Sequence, residues 1–100
     1  MIRHTVSFAL VHPADSPEEE AFLRDAATIL QGIPGVRDFA VSRQVSPKSD
    51  HRFQFAMTFD GDAEYAAYNG HPAHRSFVDD RWAVEVATFQ ELDLVPLDAR

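Results

Sequence analysis

Apolar and polar residues alternate from the start of the chain. In residues 2–11, IRHTVSFALV, one parity carries Ile2, His4, Val6, Phe8 and Leu10 and the other Arg3, Thr5, Ser7 and Ala9, the period of a half-buried β-strand. His4 is the polar exception on a greasy face. The period then lengthens. Ser16 suits an N-cap, Pro17 the first helical position and Glu19 the third. Phe22, Ala26, Ile29 and Ile33 follow at helical spacing, with Leu23, Ala27 and Leu30 beside them, until the GIPG run at 32–35 ends the helix. Alternation returns over 36–45, with Phe39, Val41 and Val45 on one parity, and over 52–59, with Phe53, Phe55, Met57 and Phe59. The link between them, SPKSDH, has turn composition, which predicts an antiparallel pair. A short helix is predicted from Asp60 or Asp62 to Asn69-Gly70, a third from Pro72 to about Trp82, and a closing strand over 87–95.

The order β-α-β-β-α-β, with its second helical position split, predicts an α+β, ferredoxin-like fold in which a four-stranded antiparallel sheet carries helices on one face. The other face would collect Thr5, Ser7, Ala9, Ala40, Ser42, Gln54, Ala56 and Thr58, small and mostly uncharged. Such a face meets water or a copy of itself.

One hundred residues suffice for a single domain spanning 1–100 with one modest core, so any pocket must share that core or abut a second subunit. Acidic residues outnumber Lys and Arg by 16 to 9, for a formal charge of −7, and the basic residues are scattered. That balance argues against nucleic acid or an anionic membrane as partner. Cysteine is absent, which removes disulfides, thiolate metal sites and thiol nucleophiles. No apolar run near the N-terminus has the length of a signal peptide or membrane span, making the cytoplasm the expected location.

Chemistry concentrates in YNGHPAHRSF, residues 68–77. His74 falls at the third position of a helix, where unpaired N–H groups disfavour imidazolium and leave a neutral base able to accept a proton; the same residue could equally pack against the sheet. His71 reads as part of the helix cap. A metal site on His71 and His74 would lack a third ligand, so no metal is expected. His12 and His51 lie in turn-like segments and are expected to be solvated. Tyr68 could orient a carbonyl through its hydroxyl or bury its ring.

The opening MIRHTVSF, the IPGV after the first helix and HPAHRSFV after a helix beginning in FDGDAEYAAY together resemble the stress-responsive A/B barrel (Dabb) family over nearly the whole length. The resemblance implies a homodimeric α/β barrel closed through the sheet faces away from the helices. It also implies a kinship with polyketide cyclases of the olivetolic acid cyclase type, which work without a metal or organic cofactor. By that likeness His74 would be the acid/base, with His4 and Tyr68 nearby; a further tyrosine of the cyclase falls at Ala26. A pocket would be lined by Val6, Phe8, Phe22, Leu23, Phe55, Met57, Phe77 and Trp82, suiting a small apolar or aromatic ligand. Three readings follow: a barrel that binds such a molecule, a cofactor-independent cyclase or isomerase using His74, His4 and Tyr68, and a structural stress protein with a solid core. The space between helices and sheet discriminates among them.

Overall fold

A computed structural model describes residues 1–98. The elements run β1 (Ile2–Leu10), α1 (Pro17–Gln31), β2 (Arg37–Arg43), β3 (Phe53–Phe59), α2 (Asp62–Gly70), α3 (Pro72–Phe77), a π-helical turn (Val78–Trp82), α4 (Ala83–Glu85) and β4 (Val86–Leu94). The strands form one antiparallel sheet in the order β2-β3-β1-β4, with β2 and β4 at its edges. This is the ferredoxin-like α+β architecture.

Register explains where the core sits. Between the two central strands, Ile2 lies opposite Phe59, His4 opposite Met57, Val6 opposite Phe55 and Phe8 opposite Phe53, so the apolar parities of β1 and β3 share one face. The helices cover it: Phe22 of α1 packs edge-on to Phe8, with ring centroids 5.9 Å apart, and stacks near Phe55, and Phe77 of α3 meets Phe22 at 5.8 Å. Phe8, Phe22 and Phe59 are fully buried, each contributing about 2 kcal/mol from removal of its ring from water. Among the described residues no buried side-chain polar atom lacks a partner.

Local signals act much as the pattern implies. Ser16 caps α1, its Oγ accepting from the Glu19 N–H at 3.2 Å, while the Glu19 carboxylate reaches back to the N–H of Asp15 at 3.0 Å. The box thus closes one residue upstream of the cap, and Asp15 takes φ 63° to allow it. β2 is shorter than the alternation predicts: Val45 lies beyond its end and is exposed, and an irregularity between Arg37 and Ala40, with Asp38 at φ 52°, breaks the ladder at its start.

The third helix departs from expectation. Helical backbone continues past Trp82 to Glu85, and residues 78–82 wind as a π-turn in which the Ala83 N–H donates to the Val78 carbonyl. Apolar spacing does not distinguish one such wide turn from an α-turn. Along this stretch Val78 and Trp82 both line the space over the sheet, while Arg81, between them, reaches Asp25 of α1 at 2.9 Å and Glu85 at 2.5 Å. Neither turn histidine is simply solvated. His12 Nε2 stands 2.7 Å from Glu85, and His51 Nδ1 is 3.0 Å from the Ser7 hydroxyl; the first segment folds back on the end of α4 and the second on β1, where their ring nitrogens find partners. No helix of the described residues is long and apolar enough to cross a membrane.

Candidate functional site

Between β1, β3 and β4 below and the α2–α3–π run above lies a cavity of about 290 Å³. Its wall is mostly apolar, from Val6, Leu30, Phe55, Met57, Phe77, Val78, Trp82 and Phe89, and its polar groups are His4, Tyr68, Asn69, His74 and Glu91. Asn69, Phe89 and Glu91 are the exposed members, which places the mouth between edge strand β4 and the α2–α3 junction.

The junction is built by local chemistry. His71 ends α2 and caps α3: its Nδ1 accepts from the Ala73 N–H at 3.0 Å, and Pro72 supplies the first helical position without an N–H to satisfy. That fixes His74 one turn on. Its Nδ1–H donates to the Asn69 carbonyl at 3.2 Å, and its ring lies 4.4 Å from that of Tyr68. Because a carbonyl only accepts, this bond puts the proton on Nδ1 and leaves Nε2 as the lone pair of a neutral ring. Burial lowers the His74 pKa from its ordinary 6.5, and the neighbouring His4 adds to that; the Asn69 bond and Glu91 oppose it. Tyr68 is buried, and its phenol is pushed well above the usual value of 10, first by desolvation. It is a hydroxyl donor at any physiological pH.

His4 is held from the opposite side. Its Nδ1 lies 2.6 Å from Asp93 Oδ1 across the β1–β4 ladder, and the Tyr65 hydroxyl donates to Asp93 Oδ2 at 2.8 Å while standing 3.0 Å from the same His4 nitrogen. The Tyr65 phenol is also raised, by burial first and by Asp93 second. Asp93 therefore fixes the His4 tautomer and leaves Nε2 free. Among the described residues, His4, Glu91 and Asp93 form the one group whose donor atoms come close enough to share a metal ion, within 4.8 Å of one another. The His4–Asp93 bond already occupies Nδ1, and both carboxylates are exposed, so the trio is explained as a histidine with its orienting acid.

The stress responsive A/B barrel domain model matches residues 2–96. This chain belongs to that family. A Dabb family protein with a ferredoxin-like fold from Mesorhizobium loti is 52% identical, with TM-score 0.96 and 97% of each chain covered. A dimeric ferredoxin-like protein of unknown function from Thermobifida fusca superposes with TM-score 0.74 at 20% identity, covering 95% of this chain and 90% of that one. The hydroxynitrile lyase from Passiflora edulis superposes with TM-score 0.83 at 12% identity, over 99% and 95% of the two chains. At such identities the last two share the fold alone. No curated protein matches the chain.

In this A/B barrel domain, His4, Tyr68 and His74 all line the one cavity, and so do Val6, Phe55, Met57, Phe77 and Trp82. Phe8 and Phe22 do not: both are sealed in the core beside it, against Trp82. Leu23 points elsewhere on α1, into a shallow groove shared with Val41 and Arg43 of β2. Sequence reasoning missed Tyr65, Asp93, Glu91 and Phe89. Alternation along β4 puts Phe89, Glu91 and Asp93 on one parity, and Tyr65 lies one helical turn before Tyr68; those were the available signals.

Proposed function

We propose that this Dabb domain works as a homodimer, each subunit of which binds a small, largely apolar molecule in the cavity bounded by Val6, Met57, Phe77 and Trp82. The carrying observation is the cavity itself: an apolar volume near the lower limit for small-molecule sites, with its polar groups gathered at one end. A solid core would have no such space, which counts against a purely structural role. Dimeric solved neighbours support self-association. So does the sheet face away from the helices, where Leu92 and Leu94 are about half exposed and Leu92 begins a row that runs through Thr5 and Ala56 to Ala40. The test is a thermal-shift screen of small aromatic alcohols and ketones against wild type and a cavity-filling Val78→Phe variant. Stabilisation of wild type that disappears in a folded Val78→Phe supports the reading; equal responses in both proteins, or none in either, overturn it.

A second reading, proton transfer, is favoured by the fixed tautomer of His74. A neutral imidazole with Nδ1–H tied to Asn69 keeps Nε2 as a base, and His4 and Tyr68 stand ready to hold an oxygen. The Passiflora edulis neighbour is itself an enzyme, so the fold is compatible with catalysis. Deuterium exchange next to the carbonyl of any ketone that binds, lost in His74→Ala, is the expected signature; exchange at the same rate in His74→Ala excludes it.

A further inference from the structure

The charges around the cavity are one-sided. Glu91 faces it from β4, flanked on the same parity by Phe89 and Asp93 and paired across the ladder with Val6. Asp93 is committed to His4 and Tyr65. From the helices come His74, whose burial favours the neutral ring, the Tyr68 hydroxyl and the Asn69 amide. Among the described residues no lysine or arginine lines the space, and His4, the histidine nearest Glu91, is already held by Asp93, which leaves Glu91 without a lysine or arginine partner there. Two aromatic rings share that lining: Phe89, two positions along β4, and Trp82, which it meets edge-on at 5.6 Å.

We infer that the occupant is an apolar amine, a small hydrocarbon or aromatic body ending in one ammonium group, with the ammonium at Glu91 and the ring faces of Phe89 and Trp82, and the body in the apolar interior. This rests on the cavity-binding reading and narrows its ligand class. A carboxylate, sulfate or phosphate headgroup would meet Glu91 with like charge and find no lysine or arginine among the described lining residues to replace its water. An ammonium finds the carboxylate and the aromatic quadrupoles together. The chain's formal charge of −7 adds a long-range bias in the same direction.

Trp82 is the single tryptophan and lines the cavity, so its fluorescence reports occupancy. The probes are 2-phenylethylamine, 2-phenylethanol and phenylacetate, titrated at pH 7 into wild type and Glu91→Gln. The expected order in wild type is amine, then alcohol, then carboxylate. Glu91→Gln should weaken the amine roughly tenfold, about 1.4 kcal/mol, leave the alcohol unchanged and admit the carboxylate more readily. Phenylacetate binding as tightly as the amine overturns the inference while leaving cavity binding intact. An amine preference that persists in Glu91→Gln overturns the role given to that carboxylate. No response to any of the three removes both the inference and the binding reading beneath it.

Discussion

His74 is half-buried against Tyr68, and desolvation is the main reason its imidazole titrates below 6.5. The sign of the consequence is definite. A histidine whose folded pKa is depressed binds fewer protons in the folded state, so it contributes most above the unfolded value, and stability falls as pH drops through 6.5 toward the folded value. NMR titration of the His74 ring should show the low pKa directly. His74→Ala should remove that part of the acid sensitivity while costing about 1 kcal/mol or less at pH 8, because only a half-buried ring and one backbone bond are lost. An ordinary titration would remove the poised base from the account. The segment bearing this residue was readable because its chemistry is local: a proline after a capping histidine sets the ring of His74 within one turn. The partner of His4 was not, because Asp93 is separated from it by 89 positions and only the β1–β4 register brings them together.

Among the helices, the cap at Ser16, the stop at 32–35 and the Pro72 start were legible, since each satisfies backbone groups within a few residues. The π-turn and the contacts it permits were not. Arg81 joins Glu85 and Asp25, and Glu85 also meets His12, so one cluster ties the end of β1, helix α1 and the start of β4 together. Burial raises the Glu85 pKa, yet the hydrogen bonds from Arg81 and His12 outweigh it and leave the group below its usual 4.5. A depressed carboxylate stabilises above its unfolded pKa, and that contribution disappears as pH falls through the folded value. Glu85→Gln should therefore cost about 1–2 kcal/mol at neutral pH, read as a lower Tm, and the difference from wild type should vanish in acid. A gap that stays constant from pH 7 to pH 3 would assign the loss to packing instead. Expecting His12 to be solvated failed for the same physical reason: its turn is polar in composition, but its ring nitrogen closes a non-local cluster.

The fold as a whole was the most legible feature, because alternation in three strands and one long amphipathic helix leave few other ways to bury Phe8, Phe22, Phe55 and Phe59 together. The cavity was not, since the same apolar residues could equally have filled it. Self-association is tested on the far face of the sheet. Leu92 lies opposite Thr5 there, about half exposed, and Leu92→Glu should shift a dimer toward monomer in sedimentation at micromolar protein, because the carboxylate would be desolvated without a partner; a wild-type monomer at that concentration would remove the dimer. Strand β4 carries both surfaces at once. Its odd positions lie on the helix side of the sheet, where Phe89 and Glu91 line the cavity and Asp93 holds His4, and its even positions, Gln90, Leu92 and Leu94, look toward the proposed second copy. The proposed ligand preference and the proposed assembly are thus written in interleaved letters of one short word. Either can drift by substitution without touching the other, whereas inserting or deleting a single residue within β4 would exchange the two sets and rewrite both together.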